Sequence, residues 1–361
     1  MAIALLTTFL TDYRNPLFER LAARHGVEVL CYGGGERYAP PWFADLDRQL
    51  AAAPFPVRRL AGVREAIDVG RRYDAVIAPF AGGAILPAAY AGARLRGRPF
   101  ILWASVWVEP RSAAHTLARP ATRRIYRHAD AVLAYGEHVR RFVAGIRGRD
   151  DDVFVVPQAV EPELFARAVE PAELADFRAR HRLGEGPLVL YAGRLVAAKG
   201  IDVLVAAWRT VGVDATLVVI GDGALRDLVR GTPRVRFLGA LPRPELPVAY
   251  AASELAVLPS IHTRRFREPW GLVCNEAMHQ GRPVLASTAV GAVAGGLVRD
   301  GETGVVVAAA DAPALAAALE RMLGDAPLRA RLGAAGRAAV AGYSYEAMVA
   351  AFDRALGVAM R

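Results

Sequence analysis

The sequence predicts an α/β protein made of two successive parallel-sheet domains, and three observations carry that prediction. The chain has 361 residues, long for a single hydrophobic core. Short apolar or β-branched runs alternate with amphipathic stretches along its length, the rhythm of strands joined by covering helices. That rhythm breaks once, over residues 157–186, where "PQAVEPELF" and "LGEGP" gather Pro, Gly and charge around a short helical piece.

In chain order, the first half predicts strands at "AIALLTTF", "VEVLCYG", "AVIAPF", "PFILWAS", "ADAVLAYG" and "VFVVP". Helical stretches lie between them, such as "NPLFERLAARHG", where Gly26 supplies a C-terminal stop. After the break the series restarts with "PLVLYAG", "ATLVVIGDG", "VRFLG", "LAVLPS", "PVLAS" and "TGVVV", and Ala-rich segments with helical periodicity follow from about residue 311. The expected domains are therefore 1–160 and 187–343, with 161–186 as hinge and a terminal helix over 344–361 crossing back to the first domain. In such sheets ligands sit at the carboxyl ends of strands, so a two-domain version is expected to bind between its halves.

Composition narrows the function classes. Hydrophobic residues make up 54% of the chain and its mean hydropathy is +0.23. Charge or Gly nevertheless interrupts every apolar run before the roughly 18 residues of a membrane span. The opening "MAIALLTTFL" has no basic flank or small-residue cleavage site and reads as a first strand, which predicts a cytoplasmic protein. Cys31 and Cys274 have no metal or redox spacing and read as core thiols of a reducing compartment.

The net charge is +9 and the isoelectric point about 10.0, which admits nucleic acid, anionic lipid and phosphorylated substrates as partners. Of the 45 basic residues, 44 are Arg and one is Lys199. Where lysines have been replaced so thoroughly, the survivor implies a place for a compact point charge and not a flat guanidinium.

Two segments concentrate the chemistry. In "YAGRLVAAKGIDVLVAAW", a strand is followed by Gly193, Arg194, a short loop, Lys199, Gly200 and a helix. A planar fork, a point charge and helix-terminal N–H groups together suit a phosphate, although a surface turn with two solvated cations has the same pattern. In "REPWGLVCNEAMHQGRPVLAS", apolar residues at helical spacing predict a helix starting at Trp270 or Gly271. Glu268 then lies in the loop before it, and Glu276 about a turn and a half inside. A carboxylate so placed can accept two vicinal hydroxyls of a ribose. A solvent-facing Glu276 and a capping Glu268 are the plainer alternatives.

Taken in order and spacing, "GRLVAAKG", "VIGDGALRDLV", "VRFLGALPRPELPVAYAASELAVLPS", "EPWGLVCNEAMHQGRPVLAS" and "VRDGETGVVV" resemble the carboxyl-terminal domain of family 4 glycosyltransferases over roughly residues 185–340. The resemblance implies the GT-B fold, two Rossmann-like domains with the nucleoside-diphosphate sugar held mainly by the second. It assigns Arg194, Lys199 and the neighbouring Gly193 to the donor diphosphate, Glu276 to the ribose and Glu268 to hydroxyls of the transferred sugar. Backbone groups at Trp270, Gly271 and Leu272 would line sugar and phosphates, and a turn at Phe237, Leu238 and Gly239 would sit beside the base. It further implies transfer of a hexose or N-acetylhexosamine with retention at the anomeric carbon. Arg194, Lys199 and a helix terminus would replace a metal, and the sugar nucleotide would be a co-substrate with no cofactor. "RDDDV" at 149–153 superficially resembles a metal-binding aspartate motif but reads as a solvated turn.

The first domain matches less specifically. Its first loop, "TTFLTDYRNPLFERLA", has no Gly and resembles a subgroup with a Tyr-Arg-x-Pro opening. Arg14, Asn15, Glu109 and His115 are the acceptor-side candidates, with Trp103 and Trp107 either shaping that pocket or packing in the core. Between residues 94 and 149 stand twelve Arg against Glu109, Asp130 and Glu137. Such a surface suits an anionic membrane, where lipid-linked acceptors would be reached from the cytoplasmic face, or is ordinary solvation.

Competing functions leave weaker traces. "GDGALR" at 221–226 lacks the third Gly of a dinucleotide fingerprint and follows the wrong strand for a dehydrogenase. No nucleic-acid-binding module is visible. A phosphorylase- or epimerase-like enzyme on the same fold stays open, because fold does not determine reaction.

Overall fold

The computed structural model describes residues 1–33, 46–81, 83–109, 113–264 and 267–361. They form two compact units, Met1–Pro157 with Tyr345–Arg361, and Gln158–Ser344.

The first unit is built on a parallel sheet of seven strands: β1 (Ile3–Thr7), β2 (Val27–Cys31), β3 (Val57–Arg59), β4 (Ala75–Pro79), β5 (Phe100–Ala104), β6 (Ala131–Ala134) and β7 (Val153–Val155). Their order is β3-β2-β1-β4-β5-β6-β7. β5 and β6 are buried at every position, as expected of strands with helices on both faces.

Six of the seven strands lie where the apolar runs predict them. β3 carries no such signal: it is three residues long, two of them Arg, and it lies at the sheet edge. Short length and charge are what keep an edge from pairing further. Arg58 reaches Glu28 at 3.3 Å, and Arg59 reaches Asp47 at 2.7 Å.

The helix Asn15–His25 has Pro16 in its first turn. It ends at Gly26, whose φ of 64° lets its N–H turn back to the Ala22 carbonyl. Helices Val63–Arg72 and Ile85–Arg94 approach backbone to backbone through Gly70 and Gly92. A Cβ on Gly92 would lie 2.1 Å from the Ile67 carbonyl oxygen.

The last helix, Tyr345–Ala359, belongs to this unit although it follows the second in sequence. Phe352 meets Trp103 edge-on at 5.2 Å, and the Tyr345 hydroxyl donates to the Tyr13 carbonyl at 2.9 Å. Asp353 accepts from Arg24 at 2.9 Å and lies 2.6 Å from a His25 ring nitrogen.

The second unit holds a six-stranded parallel sheet: β8 (Leu188–Ala192), β9 (Thr216–Ile220), β10 (Val235–Gly239), β11 (Leu255–Leu258), β12 (Val284–Ser287) and β13 (Gly304–Val307). The order β10-β9-β8-β11-β12-β13 reverses direction between β8 and β11. All six apolar runs of the second series form strands. The loops after β8 and β11 flank that reversal, the position where open α/β sheets bind ligands.

The segment read as a hinge from residue 161 lies in the second unit instead, and that unit begins at Gln158. It folds into helices Pro162–Phe165 and Pro171–His181, the latter closed by a capping box between Glu170 and Glu173. Buried Phe165 and Phe177 anchor it. Pro, Gly and charge mark the helix ends here, not an unstructured connection.

Candidate active site

The site grows from two loops of the second unit. After β8 the chain passes Gly193 and Arg194, makes a short 3-10 turn at Ala197–Lys199, and enters the helix Ile201–Trp208. Its course is held by the Gly193 N–H on the Ile220 carbonyl and the Leu195 N–H on the Asp222 carbonyl, both at 2.9 Å. The buried Tyr191 hydroxyl donates to the Arg194 carbonyl at 2.8 Å.

Gly200 closes the turn with a φ of 68°, and a Cβ there would stand 1.9 Å from the Pro259 carbonyl oxygen. No other residue permits this approach. It brings the first loop against the second, where the Ile261 N–H donates to the Ala198 carbonyl at 3.1 Å.

That contact sets Lys199 beside Glu268. The ammonium and carboxylate form an ion pair, and the Ser260 hydroxyl donates to the same Glu268 oxygen at 3.1 Å. Glu268 is 6% exposed. A backbone bridge to Val290 holds it in place. Nothing in the sequence marks Lys199 and Glu268, 69 residues apart, as partners.

The helix carrying the second acid starts later than predicted and spans Val273–His279. Gly271 has a φ of 96°, outside the helical region, so neither Trp270 nor Gly271 can begin the helix. Glu276 is therefore its fourth residue, one turn from the start and not a turn and a half.

Glu276 is half-buried and accepts a hydrogen bond from the Tyr250 hydroxyl at 2.6 Å. Burial pushes its carboxyl above the ordinary carboxylate value; Tyr250 and Arg243 oppose this, and Glu161 adds to it. Arg243 and Glu161 themselves pair at 2.5 Å. Burial chiefly, then Glu268 and Glu276, push the Cys274 thiol up, while Lys199 pulls it down. All three charges thus act on one atom at the helix start.

Tyr250, Ser260 and Arg243 carry no clear mark in the sequence. Tyr250 sits in "VAYAASE" like any core aromatic, while Ser260 has one available signal, its position directly after a strand.

The remaining candidates divide. Arg194 is exposed. The Trp270 side chain is buried, donating to Asn275 Oδ1 at 2.8 Å, and Leu272 caps the helix. Phe237 and Leu238 are not in a turn: they belong to edge strand β10, where a register shift falls between Phe237 and Gly239, and Arg230 lies 5.0 Å over the Phe237 ring.

In the first unit, Glu109 and His115 line one cavity of about 290 Å3, with Glu109 paired to Arg119 at 2.9 Å and Arg123 at 2.8 Å. Arg14 lines another, of about 230 Å3. Asn15 opens the adjoining helix. The acceptor segment read from "WASVWVEPRSAAH" includes residues 110–112, which lie outside the described residues.

Trp107 packs edge-on with His138 at 5.1 Å. In "RDDDV", Arg149 pairs with Asp151 at 3.0 Å and with Asp152 at 2.6 Å. Both cysteines are buried and free.

Family models match both parts of the chain: "Glycosyl transferase 4-like domain" over residues 11–159 and "Glycosyl transferases group 1" over residues 186–325. An alpha-D-kanosaminyltransferase of Streptomyces kanamyceticus is 36% identical over 46% of this chain and 44% of its own. A GDP-mannose-dependent alpha-(1-6)-phosphatidylinositol monomannoside mannosyltransferase of Mycobacterium tuberculosis is 32% identical over 68% of this chain and 66% of its own. The match thus spans about half to two thirds of these relatives' length.

Among solved structures, Anabaena HepE in complex with UDP-glucose superposes with a TM-score of 0.78 over all of both chains at 21% identity, a likeness of fold. The fold is that of the GT-B class of glycosyltransferases. Within that class the chain belongs to group 1, family 4.

Proposed function

We propose that the chain is a retaining, metal-independent glycosyltransferase. It moves a hexose or N-acetylhexosamine from a nucleoside-diphosphate sugar to a hydroxyl of a glycan, glycolipid or small molecule. The observation that carries this is the part-buried Lys199–Glu268 pair beside Ser260, formed by the two loops that flank the strand-order reversal. Similarity to a GDP-mannose-dependent mannosyltransferase supports a sugar-nucleotide donor.

In this reading Arg194 and Lys199 face the donor diphosphate, with Gly193 and the Trp270–Leu272 backbone beside it. Glu268, held by Lys199 and Ser260, faces hydroxyls of the transferred sugar. Glu276, one oxygen held by Tyr250, accepts from the ribose, and the β10 edge at Phe237 and Leu238 lies toward the base.

As the bond from the anomeric carbon to the diphosphate oxygen breaks, negative charge grows on the leaving group. Fixed cations stabilise that state more than the bound substrate. The acceptor oxygen then bonds to the same face, and its proton passes to the leaving phosphate. Positive side chains fill the part a metal would otherwise play, so no cofactor is required.

Arg14, Asn15, Glu109 and His115 stand on the acceptor side. The basic surface over 94–149 is a docking face for anionic lipid at the cytoplasmic side of a membrane, though ion pairs such as Arg94–Asp130 and Arg98–Asp74 offset part of its charge. Exposed Leu95 and Leu117 lie within the same segment. No helix among the described residues is long and apolar enough to cross a membrane.

The decisive experiment measures binding and turnover of UDP- and GDP-sugars with and without a chelator. Donor binding is expected to survive chelation and to fall at least about tenfold in Lys199→Ala and Glu276→Ala, the cost of one charged hydrogen bond. Normal binding and turnover in those variants would refute the site; loss on chelation would refute metal independence. Product release only with an added acceptor separates transfer from an epimerase-like reaction. Equal flotation with neutral and anionic vesicles would remove the membrane assignment.

A further inference from the structure

The cavity lined by Glu109 and His115 is otherwise largely apolar. It lies past the carboxyl ends of β4 and β5, where Phe80, Val106 and Val108 follow the strands, and is completed by the helices Ala113–His128 and Glu137–Arg147. Phe80, Val106, Val108, Phe142 and Ile146 line it and are only half-buried, so they keep apolar surface that the fold does not cover. The rings of Phe80 and Phe142 flank Tyr126, the first at 5.4 Å and an interplanar angle of 36°, the second at 6.1 Å and 89°. Residues 115–120 of the first helix are exposed at every position, and Thr116 and Ala118 among them line the cavity, so it opens to solvent on that side.

Water in such a space meets carbon on most sides and forfeits hydrogen bonds, whereas an apolar group gains burial and contact. At about 290 Å3 the cavity is just smaller than pockets that enclose a whole small molecule, so it suits one group of a larger one. Its charged side chains engage one another, Glu109 taking both Arg119 and Arg123, and call for no charged ligand. A flat ring entering here extends the row of Phe80, Tyr126 and Phe142 through edge and face contacts that a saturated group lacks. Open parallel sheets bind ligands at the carboxyl ends of their strands. Arg194, Lys199, Glu268 and Glu276 all belong to the second unit, which leaves this end of the first sheet to the acceptor. Phe80 also lines the neighbouring cavity at the ends of β1 and β4, where the remainder of an acceptor has room.

We propose that this cavity seats an uncharged aromatic group of the acceptor, with Phe80 and Phe142 as the rings it packs against. The inference rests on the glycosyltransferase reading and deepens it, because it names the acceptor as a small molecule with an aromatic aglycone.

The test uses the full chain and three uncharged alcohols, 2-naphthol, its saturated analogue decahydro-2-naphthol and 1-octanol, with binding followed by calorimetry. 2-Naphthol is expected to bind about two- to tenfold more tightly than decahydro-2-naphthol, the range that ring–ring contacts supply. A merely greasy cavity ranks the two in the opposite order, because the saturated analogue withdraws more apolar surface from water. Ala118→Trp fills the cavity from an exposed position without touching the core. It is expected to lose at least about tenfold in 2-naphthol affinity while binding UDP and GDP as the native chain does. Phe142→Leu keeps an apolar wall without the ring and is expected to remove the preference for 2-naphthol over its saturated analogue.

Decahydro-2-naphthol or 1-octanol binding the native chain as tightly as 2-naphthol would overturn the aromatic assignment. Absent 2-naphthol binding, or binding unchanged in a folded Ala118→Trp protein, would overturn the site itself. If Ala118→Trp weakens UDP or GDP as strongly as Lys199→Ala does, the cavity serves the donor and the acceptor assignment falls. Binding of 2-naphthol that Ala118→Trp abolishes, in a chain that binds no nucleoside diphosphate, would keep the site but overturn the glycosyltransferase reading.

Discussion

At the scale of single residues, the two acids of "REPWGLVCNEAM" have different environments. Glu268 is paired with Lys199, whereas Glu276 accepts from the neutral Tyr250 phenol and is pushed above the ordinary carboxyl value of 4.5 by burial. Ionised Glu276 is therefore disfavoured by folding. That penalty is absent below pH 4.5, grows as pH rises toward the native pKa, and is fully present above it. Glu276→Gln keeps the shape without the charge, so it is expected to raise the melting temperature by about 2–4 °C at about pH 7.5 and to leave it unchanged near about pH 4. A uniform shift across that range would rule out the titration of Glu276 as the cause. Tyr250→Phe removes a hydrogen bond that favours the carboxylate, so nucleotide affinity is expected to decline at higher pH than in the native chain as acid is added. Identical pH profiles of dissociation constants would show that Tyr250 does not set this group.

At the scale of elements, the site depends on where loops may pass. Gly200 lets the turn after β8 lie against the chain after β11, and without that contact Lys199 has no reason to meet Glu268. Gly200→Ala places a methyl carbon against the Pro259 carbonyl oxygen and forces a left-handed backbone. The expected loss is at least about 2 kcal/mol of stability in denaturant titration, with donor binding impaired even in the folded fraction. A fully stable, fully active Gly200→Ala protein would show that the turn has another route. Both loops were visible in the sequence as Gly- and Pro-punctuated segments beside strands, and the six strands of the second sheet were legible as apolar runs. β3 was not, because three residues with two Arg carry no period. The helix start was misplaced for a related reason: apolar spacing continues through Gly271, and only its backbone angle stops the helix.

At the scale of the whole molecule, the chain makes two units, and its last helix returns to the first of them. Phe352 and Tyr345 are buried there against Trp103 and the loop bearing Tyr13. Deleting residues 345–361 uncovers one face of β5, β6 and β7. Amide exchange is expected to quicken in those strands while β8–β13 keep their protection. Equal loss of protection in both sheets would mean that the helix supports the entire fold. The amino-acid sequence by itself determined the class of fold, the βα rhythm of both halves, and the identity of Arg194, Lys199, Glu268 and Glu276 as a group of interest. Period and residue type are local properties, and they survive in one dimension. Only the tertiary structure decided that Lys199 pairs with Glu268, that Tyr250 holds Glu276, that the hinge segment belongs to the second unit, and that Arg14 lies buried among three aromatic rings. Most of these depend on residues separated in sequence meeting in space, and the distance along the chain carries no record of that meeting.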